Sequence, residues 1–346
     1  MVKKFDVVIG NPPYQEESTG DATNQMPIYH LFMDAAYEIG EKAVLITPAR
    51  FLFNAGYTPK AWNAKMLEDP HLRVAHYVPN SAKLFPGTDI KGGVVVTRRD
   101  TSRSGEPIGT FSKHPEMTAI VQKISDAGST SLVSLGISND RVYRYTEQMH
   151  KEHPELAALM SGGNQFKLDS KAFERLSTVY FVNKPEDGHE YIRVLGLGER
   201  KRREYRWIRK DYITGPAALS AYKIALGKAN GSGAFGEVLA APVVLEPTVA
   251  VTGTFITIGA FATESEASAC AKYVKSKFAR ALLGVLKVTQ DNLARVWTHI
   301  PAQDFAPSSD IDWSKPVAEI DQQLYAKYGL DGDEIAFIES HVKSME

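Results

Sequence analysis

Residues Phe5-Asp6-Val7-Val8-Ile9-Gly10-Asn11-Pro12-Pro13-Tyr14 decide how this chain is read. Apart from Asp6, Phe5 to Ile9 are aromatic or β-branched, and a run this short and apolar is the signature of a buried strand. Gly10 lets the backbone turn or be approached closely. Pro12 and Pro13 have no N–H and hold φ near about −65°, so the chain can neither continue a sheet nor begin an ordinary helical turn there. Asn11 and Tyr14, one amide and one aromatic ring, are left as the working side chains on a stiff frame.

Outward from this stretch the pattern alternates. Gln15 to Gln25 is polar and contains Gly, as expected of a mobile segment over a site. Met26 to Ile39 has helical spacing, with Ile28, Leu31, Phe32, Ala35, Ala36 and Ile39 on one face, Pro27 in the first turn and Gly40 as the stop. Lys42 to Pro48 is a second apolar strand, and Phe51-Leu52-Phe53 opens the loop after it. Pro59 to Leu67 is helical, Arg73 to Val78 is a third strand, and Gly92-Gly93 leads into a fourth at Val94 to Thr97. Strand, helix, strand, helix, strand, strand is half of a doubly wound α/β sheet with an antiparallel hairpin at its edge.

Asn-Pro-Pro-Tyr after an apolar strand resembles the catalytic loop of the amino-methyltransferases of DNA, which place a methyl group on adenine N6. The resemblance implies a partial Rossmann-like methyltransferase sheet, the catalytic-loop half, over residues 1–100. It implies that Asn11 and the carbonyl of Pro12 accept hydrogen bonds from the exocyclic amine, with Pro13 stiffening the loop. Tyr14 would stack on a flipped-out base. Such an amine is a poor nucleophile because its lone pair is delocalised, and two fixed acceptors can localise and aim it without a strong base. Asn rather than Ser or Asp at position 11 favours adenine over cytosine N4. Lys83-Leu84-Phe85-Pro86 matches a further site of these enzymes and gives Phe85 the other face of the base. Pro48 and Phe51 fall where they line the substrate pocket. The cofactor implied is S-adenosyl-L-methionine.

In complete enzymes of this kind a Gly-rich turn and an acidic residue for the cofactor precede the catalytic loop. Two later glycine runs, Leu195 to Glu199 and Gly227 to Gly236, lack the helix that should follow, and neither qualifies. The Phe5–Ile9 strand would then be an apolar edge, which is an association hazard. The expectation is a fragment or split enzyme whose edge is covered by a protein partner, a second copy or later residues.

Composition bounds the rest. The 346 residues suggest two domains, and a net charge of −1 places any nucleic-acid contact in local patches. The single Cys270 excludes a disulfide framework and suits a reducing cytoplasm. No stretch approaches the length of an apolar membrane span. His150 and His153 lack a third ligand at suitable spacing, so no metal site is expected, and Asp169-Ser170-Lys171 is too common a triplet to mark a nuclease.

Residues 101–346 are expected to form an α+β target-recognition domain for double-stranded DNA. Tyr191 to Ile213 carries eight Lys and Arg with Tyr205, Trp207 and Tyr212 interleaved. Arg193, Arg200, Lys201, Arg202, Arg203 and Arg206 are its candidate DNA contacts. Lys223 and the Asn230-Gly231-Ser232-Gly233 loop form a second candidate DNA-facing element. Glu264 to Leu286 has the spacing of one long helix. Val296-Trp297-Thr298-His299-Ile300-Pro301 and the acidic helices after Trp313 resemble the closing strand and helices of restriction-modification methylases. The tail from Asp304 has ten acids against three Lys and should face away from phosphates.

The reading that results is an adenine-N6 DNA methyltransferase chain of the type II restriction-modification kind, cytoplasmic, with base flipping, needing a partner for the cofactor. The alternatives are a non-catalytic DNA-specificity subunit and a decoy that binds a restriction-modification partner.

Overall fold

The computed structural model describes residues 3–16, 26–105, 107–112, 114–139, 141–198 and 201–345. The fold is mixed α/β, with two compact units, residues 1–119 and 120–346. The first unit extends past the expected boundary at 100 because the linker stays bonded to it. Gly105 N–H donates to Pro70 O and Gly109 N–H to Leu67 O, and the Phe111 ring packs edge-on against Phe53 and Tyr77.

The first unit is built on β1 (Phe5–Gly10), α1 (Tyr29–Ile39), β2 (Gly40–Pro48), α2 (Lys60–Leu67), β3 (Leu72–Val78) and β4 (Val94–Asp100). The sheet order is β1-β2-β4-β3. β1 runs parallel to β2, with Val8 beside Ala43 and Gly10 beside Leu45. β4 runs antiparallel to both neighbours, with Leu45 opposite Thr97 and Val78 opposite Val94. The expected hairpin is present, with β4 as its inner strand.

β1 departs from the expectation of a buried strand. It is one of the two outer strands, the position of the apolar edge inferred above, and Phe5, Val7 and Ile9 are 55%, 49% and 77% exposed. Helix α1 also turns a different face inward. Tyr29, Met33, Ala36 and Tyr37 are buried at i, i+4, i+7, i+8 spacing, whereas Leu31 and Phe32 are exposed. Hydropathy alone ranks Leu above Tyr, but the tyrosine rings supply more area to the core and keep a polar tip. The result is an unusually apolar exterior around β1 and α1.

Gly93 fixes the start of β4. Its φ is +79°, and a Cβ there would lie 2.4 Å from Val78 O. Its own carbonyl accepts from Ala49 N–H, and its N–H donates to Ile90 O. This one residue therefore ties the end of β2 to the loop before β4.

The second unit begins within α3 (Pro115–Asp126) and continues through β5 (Arg144–Tyr145), α4 (Glu147–Glu152), α5 (Ala172–Arg175), β6 (Tyr191–Leu197), β7 (Arg203–Arg209), β8 (Ile213–Thr214), β9 (Tyr222–Gly227), β10 (Val243–Leu245), β11 (Val249–Val251) and β12 (Phe255–Phe261). Helices α6 (Glu264–Lys275), α7 (Lys277–Leu286), α8 (Val317–Lys327) and α9 (Gly332–His341) follow. Two small sheets, β11-β6-β7 and β10-β9-β12, frame the core. The long helix expected at 264–286 is broken at Ser276, whose extended backbone (ψ 149°) and hydroxyl cap α7 through Ala279 N–H. Buried Asp321 accepts from the Lys277 and Phe278 amides at the same end. The segment expected as a closing strand is instead a 3-10 turn, Ala294–Trp297, with Trp297 Nε1 donating to Asn292 O.

Gly93→Ala is expected to destabilise unit 1 by about 2 kcal/mol or more, since it adds both a clash and a left-handed non-glycine residue. A urea midpoint lowered at unchanged slope is the readout.

Candidate active site

The stiff loop leaves the sheet at the carboxyl ends of two adjacent parallel strands. Asn11 is exposed, Pro12 half-buried, Pro13 exposed and Tyr14 half-buried. The Asn11 amide makes no hydrogen bond to any described residue, and so remains available to a ligand. Tyr14 O accepts from Ile28 N–H, and Glu16 N–H donates to Met26 O, so the chain returns directly to α1. Most of the polar segment expected to be mobile, residues 17–25, lies outside the described residues.

Tyr14 lines a pocket of about 230 Å3 together with Gln15, Pro27, Tyr29, Pro48, Arg50, Gly56, Tyr57, Thr58, Asp89 and Ile90. This is smaller than the roughly 300–1,000 Å3 of drug-sized ligand sites, a scale suited to one planar group. The Tyr14 hydroxyl is buried without a hydrogen-bond partner, and desolvation raises its pKa.

Pro48, at the end of β2, is one wall of this cavity. Phe51 is not. It is 0% exposed, with its ring 5.4 Å from Trp62 and 6.4 Å from Tyr29. The first turn after Pro48 is a 3-10 helix, Ala49–Phe53, which rotates Phe51 into the core. Tyr29 takes the place at the pocket, backed by Phe51 and Trp62. Its hydroxyl is pushed up to about 12, chiefly by burial, with Thr58 and Arg50 opposing. Thr58 Oγ1 donates to Asn63 Oδ1 at 2.7 Å, and Asn63 Nδ2 donates to Asn54 Oδ1 at 3.0 Å, a chain that runs from buried Thr58 to exposed Asn54.

Phe85 is half-buried and does not line the pocket among the described residues. Its loop does, through Asp89 and Ile90. Buried Ser81 organises that loop, accepting from Ile90 N–H at 2.9 Å and donating to Thr88 O at 3.1 Å. Thr88 Oγ1 donates to Phe85 O at 2.8 Å. Tyr29, Arg50, Thr58, Asp89 and Ile90 were not singled out from sequence. The one available signal was the Ser81/Thr88 spacing in the turn before β4.

In the second unit β6 and β7 form the basic hairpin, with Arg193 opposite Trp207 and Leu197 opposite Arg203. Several of its cations are already engaged. Arg193 pairs with Glu246 at 2.6 Å and lies 5.3 Å over the Tyr205 ring. Arg206 pairs with Glu204 at 2.7 Å, and Arg203 donates to Ala241 O at 2.7 Å. Lys201 and Arg202, at the exposed turn, have no ion pair among the described residues. Arg200 lies outside the described residues.

Lys223 does not face DNA. It is 0% exposed, and its ammonium donates to Ala221 O and Glu246 O at 3.0 and 3.2 Å. Its place in β9 puts it on the inner side of a central strand, where burial pushes its pKa down to about 8. The Asn230–Gly233 loop is exposed at Gly231 and Ser232, but its amides are engaged within the protein. The amides of Ser232 and Gly233 donate to Glu237, whose carboxylate also holds Lys287 at 2.5 Å. Those glycines thus already hold an anion, the protein's own.

The other glycine run is no better suited to a cofactor. A Cβ on Gly198 would lie 2.3 Å from the Glu204 carboxylate, so the space over that glycine is already filled. Cys270 is fully buried with its thiol pushed up by desolvation, and is inert as a nucleophile. Among the described residues no cluster of three or more His, Cys, Asp or Glu is placed to hold a metal, and no helix is long and apolar enough to cross a membrane.

Residues 1–85 match the Eco57I restriction-modification methylase family. Over 124 residues the chain is 29% identical to an adenine-specific methylase described as uncharacterized from Mycoplasma pneumoniae (strain ATCC 29342 / M129 / Subtype 1), spanning 34% of this chain and 29% of that protein. Among solved structures it is similar to the type IIG restriction endonuclease BpuSI, with 11% identity and a TM-score of 0.32, covering 97% of this chain and 53% of that one. It is also similar to the type IIL restriction-modification enzyme MmeI in complex with DNA, with 9% identity and a TM-score of 0.36, covering 97% and 56%. The chain thus spans about half the length of these two enzymes, and its match to the curated relative covers less than a third of that protein. The family match contains Asn11 to Tyr14, Pro48, Phe51 and, as its last residue, Phe85.

Because the Lys223 ammonium is harder to charge in the folded state, the unfolded chain binds more protons between about pH 8 and about pH 10.5. Stability from this group therefore rises with pH across that window. Lys223→Met is expected to flatten the rise, measured by urea unfolding at several pH values.

Proposed function

We propose that this chain supplies the catalytic loop and target-recognition part of an adenine-N6 DNA methyltransferase of the restriction-modification kind. The observation that carries the reading is the Asn11–Tyr14 loop. It leaves a strand parallel to β2, leaves the Asn11 amide open, and brings Tyr14 to a pocket shared with Pro48. It does so within the segment that matches a restriction-modification methylase. The four-stranded sheet, with its inner antiparallel strand, is then part of a Rossmann-like methyltransferase sheet, and residues 120–346 are the target-recognition unit.

In this reading an adenine turned out of the duplex enters the pocket. The Asn11 side-chain oxygen and the Pro12 carbonyl accept the two amine hydrogens and localise the nitrogen lone pair. Pro12 and Pro13 hold both acceptors in place, so little reorganisation accompanies the reaction. Tyr14 stacks on the base, with Phe85 on the opposite side after closure of the 81–90 loop. S-adenosyl-L-methionine supplies the methyl group when bound. Neither glycine run of this chain fits that donor, since Glu237 fills one and Glu204 crowds the other. The donor is then held by another polypeptide segment docked on the open edge of β1. At the hairpin tip Lys201 and Arg202 contact the phosphates of double-stranded DNA.

Transfer of a tritiated methyl group from S-adenosyl-L-methionine to DNA, by the chain with its docked partner segment, tests the reading. Asn11→Ala is expected to lower the rate about 10²–10³-fold, the usual consequence of losing one preorganised polar group. Transfer undiminished in that variant would sink the assignment. The failed fit of both glycine runs favours a second reading, a DNA-specificity subunit that binds DNA without turnover. Calorimetry would show no S-adenosyl-L-methionine binding with or without a partner in that case.

The open edge has its own test. Val7→Lys with Ile9→Lys is expected to shift sedimentation of a self-associated or partner-bound chain to the monomer. An unchanged profile would show that β1 is not the contact.

A further inference from the structure

The pocket wall contains a cation that the methyl-transfer reading does not use. Arg50 lies two residues beyond Pro48, in the 3-10 turn after β2. Its stem packs against Gly56, where a Cβ would lie 3.3 Å from Arg50 Cδ. Its Nε donates to Lys91 O at 2.6 Å. Those two contacts fix the plane of the guanidinium yet use only one of its five N–H groups. No carboxylate pairs with it among the described residues. Asp89 lines the same pocket, but its carboxylate is taken by Lys91 Nζ at 2.6 Å. The remaining walls are Tyr, Pro, Ile, Gly, Thr and Gln side chains, so among the described residues Arg50 is the one cation of the lining, and the one anion there is turned to Lys91.

A guanidinium fixed through Nε, with both terminal nitrogens open, has the fork geometry that binds phosphate oxygens in pairs. A wall of aromatic rings and proline suits a base, and a neighbouring anchored Arg suits the phosphate attached to it. We propose that Arg50 is the phosphate-holding residue of this pocket, binding a phosphate oxygen of the nucleotide whose base lies against Tyr14. This rests on the base-pocket reading above and deepens it. Arg50 is a positioning residue. It fixes the sugar-phosphate side of the extruded nucleotide, so that rotation about the glycosidic bond is what remains to align the amine with Asn11.

The test needs neither a recognition sequence nor a methyl donor. The full chain is titrated with 5′-AMP, adenosine and inorganic phosphate, each followed by ligand-observed saturation-transfer NMR. The wild-type chain is expected to bind 5′-AMP about tenfold more tightly than adenosine, the scale of one charge-assisted contact. Arg50→Gln should bring that ratio to about one, and Arg50→Lys should keep part of it. The lysine variant retains the charge and the packed stem, so it separates a lost phosphate contact from a disturbed fold. Three results overturn the proposal. If adenosine binds, is weakened by Tyr14→Ala, and is matched by 5′-AMP, the base pocket stands and the role of Arg50 falls. A 5′-AMP preference that survives in Arg50→Gln assigns the phosphate to another cation. If neither ligand binds in a way that depends on Tyr14, the base-pocket reading fails and Arg50 loses its role with it.

Discussion

Two missing amide hydrogens set the geometry of the first unit. Pro12 and Pro13 cannot donate to a neighbouring strand, so the parallel ladder between β1 and β2 ends at Gly10 and Leu45. Three residues further on, β2 ends at its own proline, Pro48. The two chains leave the sheet side by side at their carboxyl ends, where open α/β sheets leave a crevice. Tyr14, Pro48 and Arg50 meet around one pocket because both ladders stop there. Gly93 adds the third side by bonding Ala49 while crowding Val78.

The second unit follows the opposite logic, closing its polar groups upon itself. Glu237 gathers the Ser232 and Gly233 amides and Lys287. Buried Arg280 donates to the carbonyls of Lys275, Glu237 and Lys343, which pins the end of the chain after α9. Burial lowers its pKa to about 10, with Asp321 and Tyr325 opposing. Such internal pairing removes charge from the surface, so the exposed turn of the β6–β7 hairpin stands out by contrast. Tyr205 and Trp207 beneath Arg193 form a rigid base for that turn rather than a loose basic tail.

The order of elements in the first hundred residues was legible because strands and helices alternate with clear glycine and proline punctuation. The Asn11–Tyr14 loop was legible because its stiffness is written in two adjacent prolines. Burial was less so. The resemblance puts Phe51 at the substrate pocket and its charge puts Lys223 toward DNA, yet the first rotates into the core with a 3-10 turn and the second enters it with β9. The inward face of α1 was misassigned because ranking by hydropathy undervalues tyrosine. Ser276 divides α6 from α7 through its own hydroxyl, a local competition that apolar periodicity does not register. Arg50 was passed over because nothing in its neighbours' identities reveals that its charge lacks a counterion.

The position of β4 inside the sheet bears on how this unit can be assembled. β3 bonds no strand but β4 among the described residues, and β4 also completes the ladder on the inner side of β2. β1, α1 and β2 form a local parallel unit whose members are close in sequence. Leu72–Val78 has to wait, across the loop that contributes Asp89 and Ile90, for Val94–Asp100 to arrive and slot between two strands already made. A nascent chain that has emerged only as far as Gly93 therefore carries the methylase-like loop but not a closed sheet. The pocket comes into being with the last strand of the unit, not with the motif that names it.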